Sequence, residues 1–144
     1  MQKIFFYSAD RPFYFKHKKK LKAFIDHLFL IEKKPLETIR YIFCSDEYLL
    51  KINQQFLNHN YYTDIITFEL ADKESPTIAE IYISIDRVKE NAITHSVSLE
   101  KELLRVIFHG ALHLCGYNDK RKSEIIEMRR KEDQYLLLFN KFLI

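Results

Sequence analysis

Tryptophan is absent from this chain of 144 residues, and glycine, cysteine and proline are scarce, at two, two and three residues. Two cysteines, Cys44 and Cys115, cannot build a disulfide framework, and both read as buried free thiols of a reducing compartment. No window is apolar for long enough to cross a bilayer. The apolar stretch within the opening MQKIFFYSAD is too short for a signal peptide. A cytoplasmic protein with no membrane partner is therefore expected. No stretch rich in Gly, Pro or Ser makes a linker, and there is no repeat or low-complexity tract, so one domain over residues 1–144 is expected.

Hydrophobic residues make up 47% of the chain and charged residues 30%, a balance that suits a packed globular core. The net charge is only +3, but the cations are clustered. Lys16, Lys18, Lys19, Lys20 and Lys22 form one group, and Lys120, Arg121, Lys122, Arg129, Arg130 and Lys131 form another. Clustered cations attract a polyanion and release its counterions, which favours nucleic acid over a neutral ligand.

Periodicity organises the chain. Lys3–Tyr7 reads as a strand, and the spacing of Leu21, Phe24, Ile25 and Leu28 predicts an amphipathic helix over about 17–32. In Thr38–Cys44, Ile39, Tyr41 and Phe43 alternate with Arg40 and Ile42, as in a strand. Asp46–Phe56 follows as a helix capped by Ser45, and Asn58–Tyr62 as polar loop. Ile65–Leu70 and Ile78–Ile85 read as two strands, and the rest as helices: about 86–95, then from a Ser98 cap to about Cys115, then from a Ser123 cap through Tyr135. The expected class is α+β, a small mixed four-stranded sheet with helices packed on it.

Both glycines lie in one segment, HGALHLCGYND, residues 109–119. His109 and His113, four residues apart, share one face of a helix. Gly116 can end that helix and turn the chain back, which lets Asp119 reach the same point. Two imidazoles and a carboxylate with room for water make an open catalytic metal site on a zincin-like helix. Zinc suits these donors, and iron, manganese or nickel suits them too. An aspartate lowers the site's net charge relative to a third histidine, so its water is less acidic. Metallopeptidases with a helical histidine pair place a glutamate directly after the first histidine, and here that position is Gly110. Glu80, in a predicted strand flanking the site, is the base candidate; Glu102 reads as a structural partner of Arg105 or Lys101.

The segment resembles the hallmark of the YbeY-type endoribonucleases, H-G-x-L-H-L-x-G-Y-D-H, with His109, Gly110, Leu112, His113, Leu114, Gly116 and Tyr117 in place. Asp119 falls where the family's third histidine stands. Asn53 and Phe56 followed by TDIITF at 63–68 are similar to the family's N-x-x-Y-R and T-D-V-L-S-F, and AEIYISID from Ala79 to its next strand. Met128 and Glu132 are similar to the pattern of its last helix, so the resemblance spans about 45–135. It implies metal-dependent cleavage of single-stranded RNA, maturation of small-subunit ribosomal RNA and ribosome quality control. His109, His113 and Asp119 would hold the ion, most simply Zn²⁺, and Lys120, Arg121, Lys122, Arg129 and Arg130 would guide the RNA. Leu57 stands where the family carries an arginine thought to serve the phosphate, and His59, two residues on, can donate in its place. The rival readings are a non-catalytic RNA-binding ribosome assembly factor with a structural metal, and another metalloenzyme such as a peptidase or an iron oxygenase.

Overall fold

The computed structural model describes residues Met1–Ile144. Its elements run β1 (Ile4–Ser8), α1 (Lys18–Ile31), β2 (Leu36–Cys44), α2 (Asp46–Leu57), β3 (Ile65–Glu69), β4 (Thr77–Ser84), α3 (Ile85–Thr94), α4 (Leu99–Leu114) and α5 (Lys122–Leu143). The sheet is mixed, in the order β1-β2-β4-β3. β1, β2 and β4 are parallel, and β3 runs antiparallel against β4. The parallel pairs need crossovers, which α1 supplies between β1 and β2, whereas β3 and β4 need only the short 70–76 connection. The α+β class expected from the pattern is the one observed.

One face of the sheet is the core face. Ile39, Tyr41 and Phe43 of β2 and Ala79, Ile81 and Ile83 of β4 are all fully buried there. They meet Leu21, Phe24, Ile25 and Leu28 of α1 and Val106, Ile107, Phe108 and Ala111 of α4 in one continuous cluster. Tyr41 is buried without penalty because its hydroxyl donates to the Ile107 carbonyl at 3.1 Å. α4 lies close on the sheet because Gly110 has no side chain. A Cβ there would stand 2.9 Å from Cδ1 of Ile65 and 3.1 Å from Cδ1 of Ile81. On the other face α2 covers a smaller cluster of Cys44, Leu49 and Ile66. Cys44 is buried and Cys115 half-buried, both as free thiols, and burial pushes both thiols up to about 12. No helix is long and apolar enough to cross a membrane.

Two caps are where the residues suggest: Ser45 accepts from the Tyr48 N–H and Ser98 from the Lys101 N–H, each at 3.1 Å. Two boundaries differ. Ser84 ends β4 and caps α3, accepting from the Arg87 N–H at 3.1 Å. The expected Ser123 cap is displaced by Arg121, whose N–H donates to the Glu124 carboxylate at 2.8 Å. That bond starts α5 before Ser123, which becomes an ordinary helical residue. α5 also continues past Tyr135 to Leu143, because Leu136 and Phe139 extend its buried stripe.

Candidate functional site

α4 places His109 and His113 one turn apart, and the helix stops at Leu114. Gly116 then takes φ +103°, a conformation that favours glycine. The Gly116 and Tyr117 N–H groups donate back to His113 and Leu112 at 3.1 Å, closing the turn. The chain doubles back so that Asp119 faces both rings. Its carboxylate oxygens stand 3.2 Å from Nε2 of His109 and 3.9 Å from Nε2 of His113. One donor atom from each of the three residues lies within 4.8 Å of the other two.

The outer edge of each imidazole is already committed. Nδ1 of His113 lies 2.7 Å from the Tyr117 carbonyl, which can only accept, so Nδ1 carries the proton. Nδ1 of His109 lies 2.7 Å from Oε2 of Glu132, a carboxylate on α5. With both Nδ1 atoms donating, a neutral ring turns its Nε2 lone pair inward, towards Asp119. Glu132 is only 4% exposed, and it is held by Nη1 of Arg105 at 2.9 Å; Nη2 of the same guanidinium reaches Asp133 at 2.7 Å. Burial opposes a charge on His109. The Glu132 hydrogen bond and charge, with smaller contributions from Asp119 and Asp64, outweigh burial and raise its pKa above the ordinary 6.5. Two nitrogens and a carboxylate oxygen with oriented outer partners fit a divalent ion such as zinc, which takes these donors with a position left open.

The three side chains open onto a cleft of about 630 Å³ bounded by α4, β3, the loop after α2 and the first turns of α5. His59 lies on its wall, exposed, with Nδ1 3.0 Å from the Tyr61 hydroxyl and its ring stacked on Tyr61. The loop that carries it is tied to α2 by buried Asn53, whose Nδ2 donates to the Tyr61 carbonyl at 2.9 Å. Leu57 lies on the same wall, and Lys120 and Arg129 reach the cleft from the α5 side. Arg121, Lys122 and Arg130 are exposed outside it, and Arg130 pairs with Glu127.

Two expectations are corrected. Glu80 is not in the cleft. The alternation of β4 sends Ala79, Ile81 and Ile83 to the core face, and Glu80 falls on the opposite one, where it accepts from the Tyr82 hydroxyl at 3.3 Å. Glu102 pairs with neither Arg105, whose guanidinium Glu132 and Asp133 take at both ends, nor Lys101; the basic group near it is the His95 ring, at 3.8 Å. The cleft also contains acids that the local pattern does not single out as site residues. Glu132 touches His109 directly, and its distance of 23 positions along the chain hides that contact. The only local signal is its spacing from Met128, which puts both on the inward face of α5. Asp64 lines the cleft at the start of β3, where burial raises its carboxyl above the ordinary range despite the nearby His109.

Comparison with known proteins agrees with this geometry. The family described as Endoribonuclease YbeY matches residues 8–140. The Endoribonuclease YbeY of Cytophaga hutchinsonii is 44% identical over 135 residues, covering 94% of each chain. That of Flavobacterium psychrophilum is 49% identical over 118 residues, 81% of this chain and 82% of its own. The solution structure of TM1509 from Thermotoga maritima superposes with a TM-score of 0.59 at 32% identity, covering 92% of this chain and 85% of that one. With identity this high over nearly the whole length, and with the fold shared, the chain belongs to the Endoribonuclease YbeY family.

Proposed function

We propose that this chain, acting as one domain, is a zinc-dependent endoribonuclease that cuts single-stranded RNA. Its place would be the cytoplasm, in maturation of small-subunit ribosomal RNA and in ribosome quality control. The endoribonuclease class comes from the family. The observation that supports metal dependence is the pair of outer hydrogen bonds, His109 to Glu132 and His113 to Tyr117, which leave both inner nitrogens facing Asp119. His109, His113 and Asp119 would hold the ion. When bound, it supplies positive charge against the phosphate and makes water more acidic.

The chain's own groups do the rest. Lys120 and Arg129 reach the cleft and offer cationic donors to phosphate oxygens. His59 stands on the opposite wall, its ring set by Tyr61, where its other nitrogen is free to donate to a phosphate or a leaving oxygen. Arg121, Lys122 and Arg130 extend the positive surface beyond the cleft and would steer the RNA backbone towards it.

A second reading, a non-catalytic RNA-binding assembly factor with a structural metal, draws on Leu57, an aliphatic side chain on the cleft wall that cannot donate to phosphate. One experiment separates the two. Zinc content and cleavage of a single-stranded RNA are measured for the wild type and for His113→Ala. Endonuclease function predicts roughly stoichiometric metal and cleavage in the wild type, with both lost in the variant. RNA binding by a zinc-loaded wild type without cleavage would establish the second reading.

A further inference from the structure

We propose that the far end of the cleft, around Glu102 and His95, is a subsite for a guanine base of the RNA. The inference rests on the endoribonuclease reading and adds a base preference to it. Glu102 is on α4, seven residues before His109, so about 10 Å along the same helix. It lines the cleft, yet its side chain is only 6% exposed. It accepts no side-chain hydrogen bond, and Nδ1 of His95 stands 3.8 Å from it, beyond bonding distance. Arg105, the cation three residues on, is fully engaged by Glu132 and Asp133. The side chain is packed almost out of solvent, yet the oxygens that it turns to the cleft take no donor from the protein, and they face a space that substrate can enter.

The surroundings define the donor that would fill it. Val106, one turn after Glu102 on α4, gives the cleft apolar wall beside it, and Asn91 and His95, at the end of α3, bring polar groups to the cleft. A flat apolar body with a polar edge is a nucleobase. Among the four bases only guanine sets two donors, N1–H and the N2 amino group, side by side, matching the two oxygens of one carboxylate. Its neighbouring O6 is an acceptor, and the His95 ring, beside the carboxylate, can donate to it. Adenine and cytosine offer the carboxylate one amino group each, and uracil one imino group.

The test is equilibrium binding by fluorescence anisotropy, with the full zinc-loaded chain and cleavage-resistant 2′-O-methyl phosphorothioate strands. Three strands are compared: oligoadenylate, the same strand with one guanosine, and the same strand with one inosine, which lacks the N2 amino group. The wild type is expected to hold the guanosine strand about tenfold tighter than oligoadenylate, with inosine between them. Glu102→Gln, which replaces one acceptor by a donor, should abolish that preference. His95→Ala, at an exposed position that folding tolerates, should reduce it by a smaller factor. Equal affinity of the wild type for all three strands overturns the subsite, as does a guanosine preference that survives both substitutions. Cleavage without base preference would sink the subsite alone, and guanosine-selective binding without cleavage would sink only the catalytic reading.

Discussion

His109 and His113 are a single helical turn apart and face the same carboxylate, yet different parts of the molecule hold them. His109 is braced directly by a charged group, Glu132, itself buried and clamped by Arg105. His113 is braced by a neutral carbonyl, that of Tyr117. The brace behind that carbonyl is again a glutamate, one step removed. The Tyr117 hydroxyl donates to Glu32 at 2.7 Å, and the Tyr135 hydroxyl and Lys131 Nζ converge on the same carboxylate. One side of the site is thus held by a charge on a neighbouring helix, and the other by a turn tethered to the C-terminal end of α1. A histidine's tautomer can thus be set by an anion on another helix, as at His109, or by a backbone oxygen of the following turn, as at His113.

The largest expected effect is on the charged side. Glu132→Ala removes the His109 partner and strands one end of Arg105. Zinc affinity should fall about 10–100-fold and stability by about 3 kcal/mol. Zinc competition titration and urea denaturation read the two quantities, and an unchanged affinity would show that His109 needs no brace.

Glu32→Ala should act mainly on stability. It removes the acceptor of Tyr135, which is buried, and of Tyr117 and Lys131, which are partly buried, at a cost of about 2 kcal/mol. Its effect on zinc affinity should be smaller than that of Glu132→Ala, because the His113–Tyr117 bond survives. A larger one would erase the distinction between direct and tethered bracing.

The smallest effect lies in acid. Burial works against the Glu32 carboxylate, but hydrogen bonds from Tyr135, Tyr117 and Lys131 prevail, and its pKa lies below the ordinary 4.5. A depressed carboxyl pKa stabilises the fold above the unfolded value, and that contribution is lost as pH falls through the folded one. Measured against Glu32→Gln, the wild type's advantage in Tm should be full above about pH 4.5 and should shrink below it. An advantage that persists in strong acid would mean that shape, not charge, accounts for it.

Much of the site is legible along the chain because it is local. The histidine pair, the bend at Gly116 and the return of Asp119 all fall within 109–119, and helical spacing alone brings them together. Glu80 is the instructive failure. It lies in a strand beside the site, but alternation decides its face, and only the register of β4 against β2 and β3 shows that the core face belongs to Ala79 and Ile81. Ser123 fails for a different reason: Ser123 and the actual cap, Arg121, lie close together, and the side chain of Glu124 decided between them.

The donor set is already written in the local sequence, because residues four apart on a helix must share a face and a glycine permits the bend that follows. Only tertiary packing turns Nε2 of His109 inward, since Glu132 arrives from 23 residues away; the Tyr117 carbonyl that orients His113 is four residues on, and packing adds to it the tether to Glu32, 85 residues before Tyr117. The physical reason is range. Helix periodicity and turn geometry act over a few residues, whereas a hydrogen bond between helices exists only after the core has packed them together.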